Sequence, residues 1–148
     1  MPHKNFGRPF GPLFLHIGKL LNDRLREELG EHSIHFGQAR VLVALEEHGQ
    51  LTQVAIGKGL HIKSSTVTNM LKKMDASGLV ERLPDEQDDR VLNVSLTKEG
   101  HHAVHLVKKA MRNVEKNIQS SLTGIDIEEL RPHLEAVRNG LGGSDAEI

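Results

Sequence analysis

The hydrophobic pattern of this chain changes period at Gly78 and changes back at Thr97, and this restricts the fold more than any other feature. Before Gly78, apolar residues recur every three or four positions, as on helix faces. Leu79-Val80-Glu81-Arg82-Leu83 and Val91-Leu92-Asn93-Val94-Ser95-Leu96 instead read as strands. The polar run Pro84-Asp85-Glu86-Gln87-Asp88-Asp89-Arg90 joins them, so the unit is a β-hairpin. After Thr97 the helical spacing resumes. The expected fold is mostly α with a two-stranded β-wing.

The helical segments can be bounded from their stop and start signals. Pro12 followed by Leu13, Ile17, Leu20, Leu21, Leu25 and Leu29 predicts a helix over 13–29, closed by Gly30. A second is expected over 38–47, with Val41, Leu42, Ala44 and Leu45 inward and Gly49 as the stop. Leu51-Thr52-Gln53 opens a short helix to Gly57 or Lys58. Gly59-Leu60-His61-Ile62 then breaks the chain before a helix over 63–76. Thr97 is a suitable N-cap for a long helix over 98–120. Ile127, Leu130, Leu134, Val137 and Leu141 mark a last amphipathic helix. The order is therefore helix, helix, helix-turn-helix, hairpin, long helix, helix. A helix-turn-helix followed by a two-stranded wing can set one helix in a DNA groove with a loop beside it. The same topology can also serve purely as a protein-interaction module.

Composition removes several alternatives. The 148 residues suit one domain, or two lobes sharing a core. There is no cysteine, which excludes disulfides, thiolate metal sites and thiol redox switches. The most apolar stretch, Leu13 to Leu21, is broken by His16, Gly18 and Lys19 and falls far short of a membrane span, so no membrane association and a cytoplasmic location are expected. No nucleophile motif, phosphate loop or paired-carboxylate constellation stands out, so the chain is not expected to be an enzyme and no cofactor is expected. The net charge of −1, from 19 Lys and Arg against 20 Asp and Glu, lacks the basic excess common in nucleic-acid-binding proteins.

Read locally, the charge says something else. From Leu51 to Met74 there are four lysines, Lys58, Lys63, Lys72 and Lys73, and no acid, a local charge of +4. Phosphate contacts need cations in one place, not a basic average. On the second helix of the motif Val67, Leu71 and Met74 form the inward stripe, and Ser65, Asn69 and Lys72 project opposite to it, flanked by Ser64, Thr66 and Thr68. These are short polar groups able to enter a groove, and an amide such as Asn69 can pair with adenine. Ser64 is equally suited to capping the helix. In the wing, Asp85, Glu86, Asp88 and Asp89 surround Arg90, which a neighbouring carboxylate could aim into a minor groove. A surface Asp88–Arg90 pair with no role in DNA contact is the competing reading. The candidate DNA-contacting set is Lys63, Ser64, Ser65, Thr66, Thr68, Asn69, Lys72, Lys73, Asp88 and Arg90.

Leu51-Thr52-Gln53, Leu60, Ile62, Ser65-Thr66-Val67-Thr68, Gly78-Leu79-Val80-Glu81-Arg82, the Asp88-x-Arg90 wing and Val94-Ser95-Leu96-Thr97-Lys98-Glu99-Gly100 together resemble the MarR (multiple antibiotic resistance regulator) family of bacterial winged-helix transcription factors. The resemblance is close over 36–100 and extends to the flanking helices by pattern. It implies a single domain over 1–148, with a winged helix-turn-helix DNA-binding lobe at 36–100 and a helical dimerisation lobe at 12–30 and 101–142. It further implies a homodimer, a palindromic operator in double-stranded DNA, and repression relieved by a small-molecule effector. Against the family pattern, Ala55 and Gly57 stand where an acid and an alanine are frequent, and Gly59 adds a second glycine. His61 stands at a position where a turn glycine is common, Lys63 where a capping serine is common, and Asn69 where a basic residue is frequent.

The histidines divide between two further expectations. His16, His35 and Arg40, with Phe14 and Phe36, are candidate liners of an effector cleft between the dimer helices and the winged helix. His101 and His105 share one helix face, and with His102 they offer a metal-sensing alternative that would need further ligands such as His32, His35 or Glu31. Their positions about 100–140° from the apolar stripe place them toward solvent, and no metal site is assigned.

Overall fold

The computed structural model describes residues 7–145; the expected span of 1–148 runs past these at both ends. The elements, in order, are α1 (Phe10–Leu29), a 3-10 turn (Gly30–His32), α2 (Phe36–His48), β1 (Gln50–Thr52), α3 (Gln53–Gly59), α4 (Ser64–Ala76), β2 (Val80–Pro84), β3 (Leu92–Leu96), α5 (Lys98–Ser121) and α6 (Ile127–Gly140). The mostly helical, winged architecture is as expected. The hairpin, however, is part of a three-stranded antiparallel sheet in the order β1-β3-β2. Leu51 pairs with Val94 on one side of β3, and Arg82 pairs with Val94 on the other. The segment expected to open the first motif helix is thus an edge strand. Thr52 ends it and caps α3, its hydroxyl accepting from the Ala55 amide at 3.1 Å. A three-residue strand is too short to carry an alternating pattern of its own.

Helix α1 begins at Phe10, so Pro12 lies inside its first turn and not ahead of it. First-turn amides have no partner within a helix, and a proline there forfeits no hydrogen bond. The core lies where α2, α3, α4 and α5 meet the sheet: Leu42, Leu45, Ile56, Leu71, Met74, Val94 and Val107 are fully enclosed. The stripe read from α4 is there, with Met70 added to Val67, Leu71 and Met74. Gly57 explains one departure from the family pattern. A Cβ at that position would lie 3.3 Å from both the Ile62 carbonyl oxygen and a Val67 methyl, so glycine lets α3 approach α4 closely.

The turn between α3 and α4 also accounts for the glycine expected at His61, whose φ is +55°. A left-handed residue with a side chain costs about 1–2 kcal/mol, and glycine's greater freedom in the unfolded chain recovers only part of this. His61→Gly is therefore expected to stabilise the protein by about 0.5–1 kcal/mol, raising the melting temperature by roughly 1–4 °C. A lower melting temperature would show that the His61 side chain, whose Nε2 lies 3.1 Å from the Asp145 carbonyl oxygen and 3.3 Å from Ser144 Oγ, outweighs the backbone strain.

Candidate nucleic-acid interface

One side of the winged unit carries the outward face of α4. Lys63, Ser64, Ser65, Thr66, Asn69, Lys72 and Lys73 are exposed, and Thr68 is half-buried on the flank nearest α3. Ser64 is not the cap. Lys63 occupies that position in extended conformation without a side-chain bond, and Ser64 is already the first helical residue. Its carbonyl accepts the Thr68 hydroxyl at 3.0 Å. Thr68 has a second partner that the sequence did not suggest, Gln53 at the start of α3, whose Nε2 donates to Thr68 Oγ1 at 2.7 Å. The first acid after the lysine-rich run, Asp75, is paired with Arg82 of β2 at 3.1 Å. That pair joins the end of α4 to the wing and keeps a free carboxylate away from the cationic face.

The wing loop is ordered by its own acids. Asp85 accepts from Asn93 Nδ2 at 2.9 Å and from the Gln87 amide at 3.0 Å. Those two bonds hold its carboxyl below the usual carboxylate range. Asp88 takes the Arg90 guanidinium through two bonds, Nε to Oδ1 at 3.0 Å and a terminal nitrogen to Oδ2 at 3.1 Å, and accepts the Arg90 amide as well. The bonds to Arg90 depress the Asp88 carboxyl and raise the guanidinium in return. Arg90 still extends into solvent, its side chain 90% exposed. The loop therefore spends two of its four acids on structure and presents one oriented cation.

Residues 36–92 match the MarR family model. The organic hydroperoxide resistance transcriptional regulator of Bacillus subtilis is 33% identical over 108 residues, 72% of this chain and 71% of the relative. This chain belongs to the MarR family. Another relative, the transcriptional repressor IacR of Pseudomonas putida, is 29% identical over 69% of this chain and 61% of its own length. Among solved structures, a mutant MarR from E. coli complexed with operator DNA superimposes with a TM-score of 0.79 at 25% identity, covering 93% of this chain and 99% of that one. These relatives are transcriptional regulators, and the coarse assignment of this MarR-family chain is the same. Among its described residues no helix is long and apolar enough to cross a membrane.

The expected effector liners are not brought together. His16 is exposed on α1. Arg40 packs its guanidinium 6.0 Å from the centre of the Phe36 ring. His35 lines a groove of about 570 Å³ between α1 and the start of α2, with Leu25, Arg26, Ile34 and Phe36. Phe14 instead lines an apolar trough of about 560 Å³ between α1, α5 and α6. His16 lines neither.

His35 has a structural task of its own. Its Nδ1 accepts from the Gln38 amide while Gln38 Oε1 accepts from the His35 amide, a reciprocal cap on α2. Partial desolvation of the ring, with Lys73 nearby, lowers its pKa below the ordinary histidine value. The folded state thus binds a proton less readily than the unfolded chain. The cap's contribution is complete above about pH 6.5 and is lost as pH falls below that value. The melting temperature should fall between pH 7.5 and 5.5, and His35→Asn, which keeps a capping acceptor, should flatten that fall. An identical pH profile in the variant would remove His35 from the account.

The three histidines of the metal-sensing alternative also find simple environments. His101, His102 and His105 are exposed, and His101 Nδ1 lies 2.9 Å from Glu46 Oε2, a contact between α5 and α2 that wheel geometry alone does not reveal. Among the described residues no three His, Asp or Glu side chains converge as a metal site. The Glu31 side chain, one of the suggested extra ligands, lies outside the described residues.

Proposed function

We propose that this MarR-family chain is a homodimeric, sequence-specific DNA-binding regulator that represses transcription and is released from its operator by a small molecule. One observation carries the DNA reading: a solvent-facing row of Ser65, Asn69 and Lys72 on a helix whose lone acid, Asp75 near its end, is paired with Arg82, beside a wing that offers Arg90 already oriented by Asp88. Here α4 enters the major groove, Lys63, Lys72 and Lys73 meet phosphates, Asn69 reads a base edge, and Arg90 reaches the adjacent minor groove. Ser64 and Thr66, on the flanks, serve phosphates. The relative solved with operator DNA and the relative named as a repressor support this direction.

The dimer rests on a different observation. Phe10, Leu13, Phe14, Ile17 and Leu20 of α1 and Leu134 and Val137 of α6 are exposed together with Leu141 just beyond it, and α6 buries no residue fully. Contiguous apolar surface of this kind marks an association site. The lobes at 12–30 and 101–142 then form the dimer and 36–100 reads DNA. Two half-sites of a palindrome would lie about 34 Å apart. The groove beside His35 is the candidate effector site, with Arg26 as its cation.

The test is selection of a preferred duplex from a random library by the purified protein, followed by a salt titration of its affinity. The expected log–log slope is steeply negative, and removing either Lys63 or Lys72 should reduce it by about one. Absence of a selected sequence, or salt-independent binding, would favour the protein-interaction module instead.

A further inference from the structure

Gln53 and Thr68 form a polar pair that the expected DNA contacts do not account for. They lie on different helices, α3 and α4, and are joined by a side-chain hydrogen bond of 2.7 Å. The Thr68 hydroxyl has one proton, and it goes to the Ser64 carbonyl at 3.0 Å. One of its lone pairs is taken by Gln53 Nε2. Were the amide turned about, the hydroxyl proton would go to Oε1, again inside the protein. A phosphate oxygen accepts and cannot donate, so a hydroxyl whose proton is already committed has nothing to offer it. The same holds for the base acceptors of guanine and thymine. Gln53 Oε1 is meanwhile buried without a partner, a destabilising arrangement that the fold tolerates at this position.

Thr68 nevertheless stands on the edge of the exposed face. At 100° per residue it lies about 60° from Ser65 and about 40° from Lys72, and it is only half-buried. Besides one lone pair, which only the amino group of adenine or cytosine could use, what the side chain has left to present is its methyl group. We propose that Gln53 is a positioning residue that fixes Thr68 with its hydroxyl committed inside the protein, so that Thr68 meets DNA through its methyl and selects a thymine by its C5-methyl group. The proposal rests on α4 occupying the major groove, as argued above. It removes Thr68 from the polar contacts expected from sequence and gives it a specificity role.

The experiment uses the duplex selected by the wild-type full-length protein, with each thymine replaced in turn by deoxyuridine, which lacks only the methyl. The expected result is a loss of affinity on the order of threefold to tenfold at one thymine per half-site. Thr68→Ser, which keeps the hydroxyl, should bind thymine and uracil duplexes equally. Thr68→Val, which keeps a methyl, should retain the discrimination. Because valine leaves the Gln53 amide unpaired, the double variant Gln53→Leu/Thr68→Val is measured alongside, and it should also discriminate. Gln53→Leu alone should weaken the discrimination while leaving the salt slope unchanged. If Thr68→Val and the double variant, both folded, bind poorly while Thr68→Ser matches wild type, the hydroxyl is the reading group and the proposal is overturned. Uniform tolerance of uracil by a wild-type protein that binds its duplex tightly overturns it equally. Failure to select any duplex instead removes the DNA reading on which it stands.

Discussion

Gly100→Ala is expected to destabilise the protein by about 3 kcal/mol or more, the largest effect among the glycine-to-alanine changes. A Cβ at Gly100 would collide with the Leu79 carbonyl oxygen, and the obstacle is backbone, not the end of a movable side chain. The surrounding bonds prevent relief by displacement. Leu79 O accepts the Thr97 amide at 3.2 Å. The Thr97 hydroxyl donates to the Gly78 carbonyl and accepts the Gly100 amide at 3.0 Å. Moving Leu79 away would therefore break its bond from the Thr97 amide and pull on the capping residue through the neighbouring Gly78 carbonyl, loosening the junction of β2 with α5. The melting temperature should fall by roughly 6–12 °C. A variant that melts within 2 °C of the wild type would show that the α5–wing junction is far looser than this geometry implies.

The second large effect is expected in binding, not in folding. Arg90→Ala should weaken affinity for the selected duplex by about 1–3 kcal/mol, on the order of fivefold to 150-fold, because it removes the one cation that the wing loop presents in a fixed orientation. Its thermal stability should be unchanged, since the Asp88–Arg90 pair is exposed. Asp88→Ala provides the control. It removes a negative charge near phosphate and so should strengthen binding if charge alone mattered. If aiming the guanidinium matters more, it should weaken binding. We expect a weakening smaller than that of Arg90→Ala. Affinity equal to wild type in Arg90→Ala would reduce the pair to a surface contact.

How far the sequence carried depended on how local each signal was. The stripe of Val67, Leu71 and Met74 was legible because burial on an amphipathic helix follows from spacing alone, and the cap at Thr97 because it acts within three residues. The edge strand Gln50–Thr52 was not legible, because its evidence is the pairing with β3 some forty residues away. The bond from Gln53 to Thr68 was hidden for the same reason: its two residues lie on different helices. His35 is instructive in the opposite sense. His-x-x-Gln at a helix start was open to inspection, but a ring nitrogen is an unusual substitute for the hydroxyl of a capping box, and the effector reading took precedence. Ser64 looked like a cap on composition, yet the chain enters the helix one residue earlier.

The junction at Gly100 matters beyond its contribution to folding. Helix α5 has 24 residues and so runs for about 36 Å. One end is fastened to the wing through Leu79, Thr97 and Gly100, and the other carries Ile118 and Leu122 into the apolar trough with α1 and α6. A helix held rigidly at one end acts as a lever. A tilt of about 5° at the trough end would carry the wing through about 3 Å over that length, a distance comparable to one base-pair step. In the proposed dimer, spacing between the two wings would then be set far from the DNA, by how tightly the trough is filled, and the missing side chain at Gly100 is what keeps that lever free of play.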